Sequence, residues 1–94
     1  MPIAMDAVAT PAAEQVLSAE DMYRLGLQAS TISEAGDINL ITAHMWFNLA
    51  AMQGNIEARS YRAELSKEMS PEDVAEAQRL AREYLAIHRP RKSA

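Results

Sequence analysis

The 94-residue sequence contains no cysteine, and it has only one tryptophan, one phenylalanine and three glycines. Without cysteine the chain can form neither a disulfide framework nor a thiolate metal site. No apolar run reaches the ~18 residues that a membrane-spanning helix needs. The N-terminus lacks a basic region, since its first charged side chain is Asp6, and we therefore expect no secretory signal. These absences predict a cytoplasmic protein of bacterial type.

Catalytic and cofactor-binding patterns are also missing from the sequence. There is no glycine-rich phosphate loop and no pairing of a nucleophile with a base. The two histidines, His44 and His88, have no third ligand at metal-binding spacing. The acidic pair Glu72 and Asp73 begins a predicted helix, where negative charge interacts favourably with the helix dipole. We therefore predict a protein that is not an enzyme and that binds no metal and no cofactor.

Positive charge is concentrated at the C-terminal end of the chain. The net charge is −4 at pH 7 and the pI is near 5.0, but residues 77–94 carry five of the nine Lys and Arg residues. This asymmetry could hold a partner by electrostatic attraction. Positive charge near a helix C-terminus is also what the helix dipole favours, and we prefer that structural interpretation.

The most hydrophobic stretch runs from Leu40 to Gln53 and contains both the tryptophan and the phenylalanine. Wound as a helix, it places apolar side chains on two sides. The broader stripe holds Leu40, Ala43, Trp46, Phe47, Ala50 and Ala51, and the second stripe holds Ile41, Met45, Leu49 and Met52. A helix at the protein surface keeps only one such stripe. We therefore predict a central helix, with Trp46 buried between its neighbours.

Three further helices are predicted, at residues 19–32, 56–67 and 71–88. Ser18 and Asp21 form a capping-box pattern at the start of the first of them. Asn55 is a suitable N-cap for the second. Ser70 and Pro71 are preferred N-cap and first-turn residues for the last. No stretch has the alternating pattern of a β-strand, so the predicted fold class is all-α.

The two ends of the chain differ from this helical region. Residues 1–17 are rich in alanine, contain two prolines and have no sustained periodicity, which predicts a disordered or loosely docked N-terminal tail. Residues 90–94 are predicted to form a basic C-terminal tail. The helical domain is expected to span residues 18–89, with a turn at residues 34–37.

The sequence repeats itself at an offset of 38 residues. The offset aligns Tyr23 with Tyr61, Arg24 with Arg62, Leu27 with Leu65, Ala43 with Ala81, Trp46 with Tyr84, Phe47 with Leu85, and Leu49 with Ile87. Each copy is predicted to be a helical hairpin that cannot bury its own apolar face. Stacking the two copies would cover the central helix on both sides, and the period lies in the range of helical-hairpin repeats.

The signature residues of this region resemble the Sel1-like repeat. The resemblance is carried by Leu25, Gly26, Ala43, Trp46, Phe47, Ala50, Ala51, Gly54 and Ala58. It implies a tetratricopeptide-like α/α solenoid made of two stacked antiparallel hairpins. It also implies an adaptor or scaffold function, since proteins of this family usually act in that way. The second copy lacks the Leu-Gly pair and is expected to be a divergent C-terminal capping repeat.

Two functional classes remain. In the first, the chain is a non-catalytic protein-interaction module whose first and third helices present Arg24, Gln28, Arg59 and Arg62 to a protein partner. In the second, the third and fourth helices form a helix-turn-helix that binds nucleic acid together with the basic tail. A pI near 5.0 and the acidic start of the fourth helix argue against nucleic acid, and we favour the first class.

A few single residues have more than one interpretation. His44 and Asn48 lie one helical turn apart and could bind a ligand, although such a pair more often faces solvent or bridges to a neighbouring helix. His88 could contact phosphate, but we favour a structural role at the end of its helix. Gly26 weakens its helix by roughly 1 kcal/mol relative to alanine, which predicts the close approach of a second helix.

The first helix is expected to leave one apolar side open. The side chains predicted to form this exposed patch are Leu17, Leu27, Ile41 and Met45. Monomers seldom tolerate a large exposed apolar patch. A two-fold homodimer would cover it, and a different partner or the N-terminal tail are the alternatives.

Overall fold

A computed structural model describes residues 17–31 and 39–88 of the chain. Within these two ranges the backbone forms four α-helices and no strand: α1 (Ala19–Ala29), α2 (Leu40–Met52), α3 (Ile56–Glu68) and α4 (Pro71–His88). The prediction of an all-α fold is confirmed. The predicted N-terminal tail apart from Leu17, the turn at residues 34–37 and the tail at residues 90–94 lie outside the described residues.

Short polar side chains begin every helix, and three of them, Ser18, Asn55 and Ser70, are those that the sequence predicts. The Ser18 hydroxyl accepts the backbone N–H of Asp21 at 3.0 Å, and the Asp21 carboxylate accepts the N–H of Ser18 at 3.1 Å. Asn39, Asn55 and Ser70 each accept the N–H three residues ahead in α2, α3 and α4. These bonds satisfy N–H groups that the first turn of a helix leaves without partners.

Helix α1 ends at Ala29, earlier than predicted. The hydroxyls of Ser30 and Thr31 both donate to the Leu27 carbonyl, at 2.9 and 2.8 Å, and such bonds compete with further helical bonding. The backbone N–H of Asn39 then donates to the Ala29 carbonyl at 3.1 Å. This bond joins the end of α1 directly to the N-cap of α2.

Helix α2 packs against each of the other three helices, which contact one another much less. Its fully buried residues are Ala43, His44, Phe47, Leu49 and Ala50. The prediction of a central helix is confirmed. The helix is closed by Gly54, whose φ of +101° lies in the left-handed region that glycine adopts readily.

Helices α1 and α2 come closest where Gly26 faces Phe47. A Cβ atom added to Gly26 would lie 2.6 Å from Cε1 of Phe47, so the close approach predicted from this glycine is confirmed. Phe47 is fully buried. Its ring stacks on Tyr61 of α3 with centroids 5.1 Å apart, and it lies 6.0 Å from the ring of Tyr23 in α1. The single phenylalanine therefore connects three helices.

The prediction that Trp46 is buried in the core is wrong. Its side chain is half-buried and makes an edge-on contact with Tyr84 of α4, with centroids 5.3 Å apart. The neighbouring residue Phe47 occupies the position between α1 and α3. Trp46 is therefore left at the contact between α2 and α4, which covers it only in part.

The second apolar stripe of α2 is buried unevenly. Leu49 is fully buried, but Met52 is 59% exposed, because it is the last residue of the helix and stands beside the turn at Gly54. Met52 is therefore not a core residue, although the sequence places it on the second apolar stripe of this helix.

The prediction of an exposed apolar patch on the open side of α1 is also wrong. Its four predicted members, Leu17, Leu27, Ile41 and Met45, are all half-buried, and all but Ile41 pack against the core cluster. Helix α1 packs extensively against α2, so less of this side faces solvent than expected. The large apolar side chains that are exposed in the described ranges are Met52, Ile56, Tyr61 and Ile87. A homodimer stays a prediction, which light scattering at micromolar concentration can test.

Candidate interaction surface

Four polar side chains connect α2 with α3 along one line. His44 Nε2 lies 3.0 Å from Ser66 Oγ, and one turn away Nη1 of Arg62 donates to Oδ1 of Asn48 at 2.6 Å. The partners follow in opposite order along the two helices, which are therefore antiparallel. We call these four residues the polar seam. His44 and Asn48 bridge to a neighbouring helix, which is one of the structural roles favoured from the sequence.

The bonding of Ser66 determines which nitrogen of His44 carries the proton. The Ser66 hydroxyl donates to the Arg62 carbonyl at 2.9 Å, so its oxygen acts as the acceptor for Nε2–H of His44. The Nδ1 atom is then unprotonated, and it is buried without a hydrogen-bond partner among the described residues. Burial of the ring, together with the positive charge of Arg62, lowers the pKa of His44 from its usual value.

A shallow groove runs along one flank of α3. It is open to solvent, has a volume of about 380 Å³ and is lined by Ile56, Arg59, Ser60, Arg62 and Ala63. Four of these residues recur at spacings of three and four, so they share one side of the helix. The groove combines two guanidinium groups with the side chain of Ile56, which is 71% exposed. We call it the α3 groove.

The four side chains predicted to bind a partner are Arg24, Gln28, Arg59 and Arg62. The structure brings the second pair together in the α3 groove, whereas the first pair is exposed on α1. The two helices are neighbours, because the rings of Tyr23 and Tyr61 lie 5.9 Å apart. The predicted residues therefore belong to adjacent helices, but only the pair on α3 lines a common depression.

The arginines differ in their counter-ions. Arg24 and Arg79 each lie within 3.3 Å of a carboxylate. Within residues 17–31 and 39–88, three arginines have no carboxylate at ion-pair distance: Arg59, Arg62 and Arg82. Of these three, Arg62 is half-buried and the other two are exposed.

The outer face of α4 carries charges that neutralise one another. Arg79 lies 2.7 Å from Glu76 and 2.8 Å from Glu83, and the Glu76 hydrogen bond is the main cause that raises the pKa of Arg79. A helix that binds nucleic acid presents unpaired cations to the phosphates. Arg79 is paired with two carboxylates and is therefore not such a cation. His88 stacks on Tyr84 at 4.2 Å with Nδ1 3.3 Å from its carbonyl, as expected for a structural residue at a helix end.

Sequence reasoning missed the bonds that α3 makes inside the polar seam. A usable signal was present, because His44 with Asn48 and Arg62 with Ser66 are both polar pairs four residues apart on consecutive helices. It also missed the less conspicuous residues of the α3 groove, which are Ile56, Ser60 and Ala63. Nothing in their sequence pattern separates them from an ordinary solvent-facing flank.

Some site types have no counterpart in the part of the chain that the structure describes. No group of three acidic or histidine side chains there could hold a metal ion. None of its helices has the length and apolar character needed to cross a membrane. Comparisons with protein-family models, curated proteins and solved structures gave no match for this chain. A proposed function therefore depends on the contacts of the chain itself.

Proposed function

We propose that the chain is a non-catalytic protein-interaction module of the Sel1-like repeat type, whose partner binds the exposed surface of α1 and α3. The observation that carries the proposal is the placement of these helices side by side on α2, with the Tyr23 and Tyr61 rings 5.9 Å apart. Two neighbouring helices with exposed polar side chains suit recognition of another protein chain. The module would act in the cytoplasm and without a cofactor.

We further propose that the four helices form a short α/α solenoid of two related hairpins. Ala43 and Ala81, which are 38 residues apart, are both buried. Trp46 and Tyr84, also 38 residues apart, are both half-buried and contact each other. Equivalent positions of stacked repeats have similar surroundings and often meet. These pairs support the repeat interpretation.

The alternative is a small nucleic-acid-binding protein that uses α4 and the basic C-terminal tail. The feature that favours it is Arg82 on α4, which has no carboxylate of residues 17–31 and 39–88 at ion-pair distance. Against it stand a pI near 5.0 and the two carboxylates that flank Arg79 at 2.7 and 2.8 Å. Such a face repels phosphate more than it attracts it.

Site-specific photo-crosslinking in cells of the source organism tests the proposal. A photoreactive amino acid is placed at Gln28 on α1, at Ser60 on α3, or at Arg82 on α4 as the control. The proposal expects the same protein adduct from the first two positions and none from the third. An adduct from α4 alone, or a salt-dependent shift of labelled duplex DNA by the purified protein, would contradict it.

A further inference from the structure

We propose that the α3 groove binds a short peptide segment in which a carboxylate stands next to an apolar side chain. This inference rests on the proposed interaction function and names the chemistry of the partner. It is carried by two arginines that have no carboxylate of the described residues at ion-pair distance, beside an exposed aliphatic side chain. All three line one depression of about 380 Å³.

Arg62 is the main reason to expect a carboxylate. Arg62 is half-buried as a residue, and no carboxylate of the described residues lies at ion-pair distance from its guanidinium. Charged groups that lose water are normally paired or well hydrogen-bonded. Asn48 satisfies Nη1 at 2.6 Å, but a neutral amide oxygen does not neutralise the charge. Arg62 therefore keeps an unmet preference for an anion.

The bond from Asn48 also prepares Arg62 for binding. A long arginine side chain loses rotamer freedom when it binds a ligand, and that loss weakens binding. Here the guanidinium is already held at one end, while Arg62 still lines the groove. Guanidinium groups present parallel N–H donors that match the two oxygens of a carboxylate. The arrangement thus favours a planar carboxylate as the ligand group.

The remaining lining residues specify the rest of the ligand. Arg59 supplies a second cation, and Ile56, 71% exposed, supplies an apolar surface in the same groove. Burying that surface against an apolar side chain adds binding free energy. A segment with both features fits the groove better than a simple anion does.

The charges of α3 are separated in a way that would orient such a segment. The acidic side chains Glu57, Glu64 and Glu68 follow one another at spacings of seven and four, so they share a flank of the helix. None of them lines the groove. An acidic segment is therefore repelled from one flank of α3 and attracted to the other.

Binding of labelled peptides to the full-length protein tests the proposal. The probe is fluorescein-labelled Gly-Asp-Glu-Leu-Phe, and its control replaces Asp-Glu by Asn-Gln. Fluorescence anisotropy is expected to show at least ~10-fold weaker binding of the control, as a charged bond worth about 1.4 kcal/mol implies. Amide NMR shifts should be largest at residues 56–63. A C-terminally amidated probe tells whether the side-chain or the terminal carboxylate is bound.

Two variants remove the preference of Arg62 for an external carboxylate in different ways. Arg62→Met deletes the charge but keeps most of the apolar stem. Asn48→Asp supplies an internal carboxylate for Arg62, which should compete with the peptide while leaving the fold intact. Both are expected to weaken binding about 10-fold. Arg82→Met is the matched control, since it removes an equally unpaired cation from α4, and it should change the affinity less than about 2-fold. Thermal melts verify that each variant is folded.

Several results would overturn the proposal. Two concern the peptides: the acidic and the neutral peptide bind equally well, or α3 shows no NMR shifts up to millimolar peptide. The other two are tighter binding of labelled single-stranded DNA than of the peptide, and an effect of Arg82→Met as large as that of Arg62→Met. If the crosslinked partner binds Asn48→Asp as well as wild type, the groove chemistry is wrong and the interaction module stands. If the peptide binds but no crosslinked partner is found on α1 and α3, the groove chemistry stands and the interaction module is wrong.

Discussion

The two sequence copies share one apolar pattern but differ in how it is buried. Leu49 of the first copy is fully buried, whereas its counterpart Ile87 is 72% exposed. Gly26 of the first copy allows a ring to approach the helix backbone, whereas the aligned residue of the second copy is Glu64, which is exposed. Residues at equivalent positions thus lie in the core in the first copy and at the surface in the second.

The comparison shows that a repeat pattern specifies which side chains can be buried, and the number of neighbouring helices decides which of them are. Helix α2 has neighbours on several sides, but α4 packs mainly against α2. Four measurements test this difference, in order of decreasing effect.

Removal of the aromatic ring at the centre should have the largest effect. Phe47→Ala is expected to lower the free energy of unfolding by about 3–5 kcal/mol, because it leaves a large cavity in a fully buried site. The aligned change Leu85→Ala should cost about 1–2 kcal/mol, since a half-buried side chain loses less apolar contact. Urea unfolding followed by Trp46 fluorescence measures both. Equal losses would mean that the two copies are buried alike.

Filling the close approach between α1 and α2 should have the next effect. In Gly26→Ala the new Cβ would stand 2.6 and 2.7 Å from two ring atoms of Phe47. We expect a loss of about 1–3 kcal/mol from overpacking, despite the better helix propensity of alanine. The matched change Glu64→Ala should stay within about 0.5 kcal/mol.

A double variant tests the mechanism of that loss. Replacing Phe47 by leucine, the residue of the second copy, should make room for a side chain at position 26. The losses of Gly26→Ala and Phe47→Leu are then expected to combine to less than their sum. A stabilised Gly26→Ala single variant would show that the helices separate without cost.

The polar seam, which joins α2 of the first copy to α3 of the second, should make stability depend on pH. The pKa of His44 is lowered in the folded protein by burial and by Arg62, so below about pH 6.5 the unfolded chain takes up a proton that the folded chain does not. The free energy of unfolding should therefore fall as the pH falls from about 6.5, by at most about 1.4 kcal/mol per pH unit. The loss stops below the lowered pKa of the folded state.

Urea unfolding between pH 7.5 and 5 measures this slope. His44→Gln, whose amide can still donate to Ser66, should flatten it, and His88→Gln is the control, since that imidazole is exposed. Asp21 and Glu76 titrate below this pH range. Hydrogen bonds from Ser18 lower the pKa of Asp21, and those from Arg79 lower the pKa of Glu76. An unchanged slope in His44→Gln would contradict the assignment.

The smallest effect is expected at the exposed end of the pattern. Ile87→Ala should change the free energy of unfolding by less than about 0.5 kcal/mol. The aligned change Leu49→Ala should cost about 2–5 kcal/mol. Chemical denaturation of the two variants under one set of conditions gives the ratio of their losses in the free energy of unfolding. A large loss at Ile87 would mean that another element or another chain covers it.

The helices and their starting residues could be predicted because those signals are local. Capping by Ser18, Asn55 and Ser70 and the turn at Gly54 depend on a few neighbouring residues each. The early end of α1 was missed because Ser30 and Thr31 bond to the backbone instead of extending the helix. Local hydroxyl bonds of this kind compete with helix propensity in a way that periodicity does not reveal.

The positions of the aromatic side chains and of the site could be predicted only in part. Apolar stripes on α2 do not say which neighbour covers which stripe, so Trp46 was predicted to be buried, whereas it is half-buried and Phe47 is the fully buried ring. The sequence identified Arg59 and Arg62 as surface candidates, but their common groove depends on how α3 is rotated against α2. That rotation is set by the contacts of Asn48 with Arg62 and of Phe47 with the aromatic rings, which are long-range.

The bond between the Asn39 N–H and the Ala29 carbonyl, at 3.1 Å, has a consequence for how the chain tolerates change in length. It joins the residues on either side of positions 30–38. Together with the packing of α1 on α2, this bond holds the two helices at a spacing that does not depend on the number of residues in between. Doubling the length of a loop costs only about 0.6 kcal/mol of closure entropy. Insertions between these points should therefore alter the connection and leave the register of Gly26 against Phe47 intact.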